Sequence, residues 1–266
     1  MNFVVCVKQT PDTAEMSKIS VAEVSSGDIK ATLVLNPWDE YAVEEALLLQ
    51  DRFGGEVTVM TTGPETATDA LKDAIARGIK NALLLDDPAF SGTDAWGTAA
   101  ILSAAIRKNG DFDVVLTGKM SVDGNSGLVA PGLARKLGAT LLTQVTRILD
   151  IADGMITVER QLEEGREIVT ATLPAVVSVG KEINEPRYPS FMGIRKAARA
   201  DIPVWSAQDL ASIDPLIGTN GYVPGARWTD LRKPPARASE VVLVDEGSVD
   251  ASAAKLADLL MAEKVV

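Results

Sequence analysis

The 266-residue chain contains no histidine. That removes the commonest general base and the commonest zinc ligand, and with them Ser-His and Cys-His nucleophile chemistry. Its one cysteine, Cys6, excludes an internal disulfide, and within the apolar run Phe3 to Val7 it reads as a small core residue of a protein kept in a reducing compartment. No window reaches the roughly 18 apolar residues of a membrane-spanning helix, and the N-terminus lacks a basic flank followed by a long apolar segment, so the reading is a cytoplasmic protein without direct membrane insertion. Cations are in the minority, 26 against 37 acidic side chains for a net charge of −11, which disfavours nucleic acid and anionic membrane surfaces as partners. With no acid, base or metal cluster in view, no catalytic residue and no metal site is expected.

What is present is alternation. Apolar runs of strand length at Phe3–Val7, Glu56–Thr61, Ala82–Leu85, Val114–Leu116 and Leu141–Val145 are separated by helical patterns. Asn36 is placed to cap a helix that starts at Pro37, with Val43, Ala46, Leu47 and Gln50 on one face. Gly63-Pro64 opens a second helix whose stripe is Ala67, Leu71, Ala74 and Ile75 before Gly78; Asp94–Lys108 forms a third and Ser126–Leu137, closed by Gly138, a fourth. Strands alternating with helices of this length imply a doubly wound α/β domain around a parallel sheet, joined by right-handed crossovers.

After Leu141 the pattern changes. Met155–Gln161 and Glu167–Thr172 alternate polar and apolar residues around Glu163-Glu164-Gly165, a β-hairpin signature, and Val176–Val179 follows as a short strand. From Asp214 to Ala238 the chain is rich in Gly and Pro, with Trp228 as its main hydrophobe; a small strand, Val241–Val244, and a helix, Ala251–Lys264, complete it. The organisation expected is an α/β domain over 1–213, hairpin included, and an extended arm over 214–266 lying across another surface.

In an open parallel sheet, ligands bind where strand carboxyl ends meet helix N-termini. Three loops of that kind should share one rim: Lys8–Thr13, Thr61–Pro64 and Gly118–Pro131. The last, GKMSVDGNSGLVAP, has Gly124, Ser126 and Gly127, which let backbone amides close on an anion just before a helix; a nucleotide phosphate is the natural occupant, although the loop matches neither the P-loop nor the GxGxxG pattern and a plain turn stays open. The charge of Asp123 opposes a phosphate, so it is assigned to fixing the loop through backbone amides or to a ribose hydroxyl. Lys119 is read as solvated.

The segment Asn184–Arg199, NEPRYPSFMGIRKAAR, sets Tyr188, Phe191 and Met192 beside the cations Arg187, Arg195, Lys196 and Arg199. Aromatic anchors, a flexible Met and a basic rim are the composition of a partner-docking surface. The competing reading is an ordinary loop whose aromatics tuck into the core.

Several separated motifs, in order, also carry a family resemblance: VKQTPDT at Val7–Thr13, NPWDEYAVEEAL at Asn36–Leu47, TGP at Thr62–Pro64, GK-x-S-x-DG at Gly118–Gly124, LPAVVSV at Leu173–Val179 and NEPRYPSFMGIRKA at Asn184–Ala197. Over nearly its whole length the chain resembles the beta subunit of electron transfer flavoproteins, including the FixA branch. The resemblance implies a Rossmann-like fold of the adenine nucleotide alpha hydrolase type and a heterodimer with an alpha subunit that carries FAD. It also implies an electron carrier, not an enzyme, served by acyl-CoA or other flavin dehydrogenases, with the 214–266 arm wrapping the alpha subunit and burying Trp228.

Carried over by position, the resemblance places an AMP site on Cys6, Asn36, Thr62, Ser121, Asp123, Gly124, Asn125, Ser126, Gly127, Leu128 and Val129, and brings Thr13 to the dimethylbenzene edge of the alpha-subunit flavin. Many members carry Gln where this chain has Leu128, and the electron-bifurcating ones pair that Gln with Thr in place of Ser126 and bind a second FAD instead of AMP. Leu128 has no hydrogen-bonding group, which weighs for AMP; VKQTPDT resembles the bifurcating and FixA branches, which weighs for the second FAD. In the docking segment Phe191 replaces a Leu that commonly enters a dehydrogenase pocket, so a pocket other than that of a medium-chain acyl-CoA dehydrogenase is implied. An ATP-binding regulator of the universal stress type shares the nucleotide domain but leaves the docking segment and the arm without a role.

Overall fold

The structure, a computed structural model, describes residues 1–214, 217, 224–226, 229–235 and 241–265. By internal contacts the chain divides into two units, Met1–Asp230 and Leu231–Val266. The first contains a nine-stranded sheet built from β1 (Asn2–Cys6), β4 (Glu56–Thr62), β5 (Asn81–Leu85), β6 (Val114–Gly118), β7 (Thr140–Ala152), β8 (Met155–Gln161), β9 (Arg166–Thr172), β10 (Ala175–Val179) and β11 (Val204–Trp205). Its order is β11-β5-β4-β1-β6-β10-β7-β8-β9, and β2 (Gln9–Pro11) pairs separately with β3 (Leu33–Leu35).

Alternation along β1 sorts the two cores. Phe3, Val5 and Val7 face the layer of α2 (Pro37–Phe53) and α3 (Thr68–Arg77), where Val43, Ala46, Leu47, Leu71 and Ala74 are buried. Val4 and Cys6 face α4 (Ala95–Asn109) and α5 (Val129–Leu137), packing with Ile101, Ala105, Leu133 and Ala134. Helices therefore cover both faces of a sheet that is parallel from β11 to β7, the expected doubly wound architecture. All five expected strands and the four expected helices form, and the hairpin pairs in register from Met155 opposite Thr172 to Gln161 opposite Arg166.

The differences have local causes. β7 continues to Ala152 and pairs with β8, because Asp153 and Gly154, both at positive φ, make the two-residue turn that matches strand twist. α5 begins at Val129, three residues later than expected, since Asn125 and Gly127 adopt left-handed backbone and keep the loop out of the helix. α1 (Val21–Ser26) and α6 (Phe191–Ala197) are short helices with serine caps, Ser20 and Ser190, and the four-residue α7 (Ala207–Leu210) begins after Ser206. In the second unit α8 (Val249–Ala262) corresponds to the expected terminal helix, whereas Val241–Val244, exposed from Val241 to Leu243, forms no strand: no ladder partner meets it among the described residues. Trp228 lies outside the described residues.

Where α5 crosses α4, Gly132 leaves no room: an added Cβ would stand 2.6 Å from the Cβ of Ala99. Gly132→Val should force the helices apart and lower stability by about 1–3 kcal/mol, read as a shifted denaturation midpoint; an unchanged midpoint would contradict this packing.

Candidate functional site

Chain order reverses beside β1. From β1 the chain steps to β4 and β5 on one side, then returns as β6 on the other, so a topological switch point lies between the carboxyl ends of β1 and β6. Lys8–Thr13 leaves one of these ends and Gly118–Pro131 the other, while Thr61–Pro64 leaves the adjacent β4, so the three loops do share a rim.

The first turn of α2 holds this rim together. Asn36 is buried, and its side chain does not cap α2; Nδ2 donates to the Met120 carbonyl at 2.9 Å and Oδ1 accepts from the Val122 amide at 3.1 Å. Its own amide donates to the Lys8 carbonyl at 2.9 Å. Three residues on, the buried carboxylate of Asp39 accepts from the Lys8 amide at 2.8 Å and from the Gly118 amide at 3.2 Å, joining the two strand ends across the switch point. Gly118 is required there, since a Cβ would lie 2.4 Å from Asp39 Oδ1 and 2.6 Å from the Trp38 carbonyl carbon.

Above this floor Lys8 Nζ meets Asp123 at 2.6 Å. Burial alone would raise the Asp123 carboxyl, but the Lys8 charge and the loop hydrogen bonds outweigh it and hold it below the usual range. Asp123 therefore fixes the loop, and its charge is met before any anion arrives. Ser121, Gly124, Asn125 and Ser126 lie on the same exposed loop, which turns at Asn125 and Gly127; the Ser121 carbonyl accepts from the Asn125 amide at 2.9 Å. Leu128 precedes α5 and is 58% exposed, offering no side-chain cap to the first amides of the helix from Val129 onward. By contrast the Asp94 side chain caps α4. The Thr117 hydroxyl, near the end of β6, is buried with no partner among the described residues.

Cys6 sits beside Thr117 in the β1–β6 register, its thiol pushed up to about 12 by burial and by the charge of Asp39. It is an inert packing residue, so any ligand contact there goes to its backbone. Thr62 is half-buried at the end of β4, and Thr13 is exposed beyond β2. Lys119 approaches the face of Trp38 at 6.0 Å. An uncapped helix start and left-handed loop backbone lie in the segment that leaves β6 at the switch point, and a buried unpartnered hydroxyl lies near the end of that strand; in kind, these features suit an anionic group such as a nucleotide phosphate. Sequence reasoning missed Lys8, Asp39 and Thr117; the NPWDE motif signalled a helix start, but not that its Asp would be buried between two strand ends.

The docking segment lies elsewhere, on α6 and the residues before it. Tyr188, Phe191 and Met192 are 93%, 74% and 69% exposed, so the core-packed alternative does not hold. Ile194, Arg195, Lys196 and Arg199 are also exposed, and the three cations make no ion pair among the described residues. Arg187 differs: it pairs with Glu44 at 2.8 Å.

Burial raises the Asp39 carboxyl from near 4 to about 7, against the opposing effects of the Lys8 amide, the Asn36 side chain, the Gly118 amide and the Lys8 charge. The folded state thus binds this proton more tightly than the unfolded chain, so the contribution of Asp39 favours folding at acid pH and is lost as pH rises through about 7. Denaturation midpoints taken from pH 6 to 8 should fall for the natural chain and flatten in Asp39→Asn; parallel slopes would contradict the assignment.

The family described as electron transfer flavoprotein domain matches residues 29–210. Protein FixA of Azorhizobium caulinodans is 38% identical over 242 residues, covering 85% of this chain and 86% of that protein. The electron transfer flavoprotein subunit beta of Megasphaera elsdenii is 33% identical over the full length of both chains. The caffeyl-CoA reductase-Etf complex subunit CarD of Acetobacterium woodii is 38% identical, with 83% of this chain and 84% of that protein covered. The switch-point loop, the α2 turn that holds it and the whole docking segment lie in the matched region, and the chain belongs to the electron transfer flavoprotein family, among its beta-subunit and FixA-type members.

Proposed function

We propose that this chain is the beta subunit of a heterodimeric electron transfer flavoprotein, an electron carrier that binds AMP in the switch-point loop and works with an FAD held mainly by an alpha subunit. The observation that carries the nucleotide assignment is the meeting, at one switch point, of an uncapped helix start, left-handed loop backbone at Asn125 and Gly127, and the unpartnered Thr117 hydroxyl. AMP contacts are assigned to the backbone around Cys6, Asn36 and Thr62 and to the loop from Ser121 through Asp123 to Val129. Leu128 adds apolar surface and no hydrogen bond, which favours AMP over a second FAD in this loop.

FAD, when bound, supplies the redox chemistry. The chain's own part is positioning. Thr13 is assigned to the flavin side of the heterodimer, while Tyr188, Phe191 and Met192 present an apolar tip to an acyl-CoA or other flavin dehydrogenase. Arg195 and Lys196 flank that tip and steer an acidic partner surface over a Debye length of about 8–10 Å. No proton transfer by this chain is required, in keeping with the absence of histidine. A site in the cytoplasm is part of the same proposal; among the described residues no helix is long and apolar enough to cross a membrane.

The test is co-purification with a co-expressed alpha subunit, followed by reduction of the complex by a donor dehydrogenase. Phe191→Ala should leave the heterodimer intact and raise the KM for reduced donor at least about tenfold, the loss expected of a buried aromatic anchor, with kcat unchanged. Failure to form a heterodimer contradicts the subunit assignment, and an unchanged KM contradicts docking through Phe191.

A further inference from the structure

Arg187 stands one residue before Tyr188, and composition alone groups it with the docking cations. Its geometry sets it apart. Nε and Nη2 grip Glu44 of α2 at 2.8 and 2.9 Å in a two-pronged pair, and the Arg187 amide donates to the same carboxylate at 3.1 Å. Glu44 is 5% exposed. The Arg187 carbonyl accepts from Arg77 of α3 at 3.1 Å, and Arg77 is itself held by Glu40 at 3.0 Å. On the approach to this residue, Asn184 Nδ2 donates to the Tyr41 carbonyl and to Glu45 at 3.1 and 3.0 Å. Beyond it, α6 lies so close to α3 that a Cβ on Gly193 would stand 2.0 Å from the Ala76 carbonyl oxygen. The backbone amide and carbonyl of Arg187 and its Nε and Nη2 are thus engaged by α2 and α3, with the exposed Asp51 a further 3.9 Å from Nη2, while Tyr188, Phe191 and Met192 just beyond it face out.

We propose that Arg187 is a positioning residue that latches the docking segment to α2 through Glu44, and that the cations meeting a partner are Arg195, Lys196 and Arg199. The inference deepens the docking assignment made above and rests on it. The latch fixes the chain immediately before the exposed aromatics, so a partner meets a preformed tip whose ordering cost has already been met within this chain. A guanidinium is needed because a fork binds both carboxylate oxygens in one plane; an ammonium offers a point charge and no such orientation. The same helix holds the nucleotide loop by its first turn and the docking segment by its next two, through Asn36 and Asp39 at one end and Tyr41, Glu44 and Glu45 further along.

The test is amide hydrogen exchange by mass spectrometry on the purified full-length chain. Arg187→Gln should speed exchange over Tyr188–Ala197 at least tenfold and leave β1, β4 and β6 as protected as before. Glu44→Gln should do the same, and the double variant should be no worse than either single one, since both remove one interaction. Arg187→Lys should restore protection only in part. Unchanged exchange over Tyr188–Ala197 in Arg187→Gln overturns the latch, as does full protection in Arg187→Lys or an equal rise throughout the sheet. None of these readings requires a partner to be bound, so the latch and the docking role of Phe191 fail separately.

Discussion

Two backbone amides, those of Lys8 and Gly118, point at one buried carboxylate, and the geometry of the candidate nucleotide site depends on it. Without Asp39 the ends of β1 and β6 would carry unsatisfied donors at the crevice where the sheet changes direction. The arrangement is costly, since the carboxyl is buried deeply enough to be pushed up to about 7. Its cost is offset by what it organises: β1, β6, the Lys8–Thr13 segment and the first part of the Gly118–Pro131 loop share one anchor on the first turn of α2.

That anchor extends in two directions. Asn36 carries it to the loop at Met120 and Val122, and Lys8 carries it on to Asp123. Along the same helix, Glu44 and Glu45 hold Arg187 and Asn184. α2 is therefore more than a core helix: its apolar face packs on the sheet while its polar groups hold the two segments to which function is assigned. Carboxylates at Asp39, Glu44 and Glu45 are buried, and each accepts hydrogen bonds.

Much of this was legible in the residues. Continuous apolar runs located the parallel strands because both faces of the sheet are covered, and apolar residues spaced three and four apart located the helices. The three-loop rim followed from strand polarity alone. Side-chain partners across long sequence separations did not follow. Asn36 reads as a helix cap until Met120 and Val122 are brought to it, Asp39 carries no signal of its own until it is buried between two strand ends, and Arg187 reads as a docking cation until Glu44 faces it. The extension of β7 was encoded in Asp153-Gly154, a turn signal that a short apolar core at Leu141–Val145 overshadowed. Val241–Val244 shows the reverse error: four β-favouring residues do not make a strand without a ladder to join.

The central assignment, an adenine nucleotide held at the switch point by the loop that Asn36 and Asp39 anchor, is tested most directly by counting cofactors. The chain, co-expressed with its alpha subunit, is purified and denatured, and released FAD and AMP are quantified per heterodimer by chromatography. One FAD and one AMP are expected, with AMP selectively lost from Asn36→Ala. Two FADs and no AMP would replace AMP by a second flavin, and a heterodimer carrying FAD but no second adenine nucleotide would contradict the assignment of this loop.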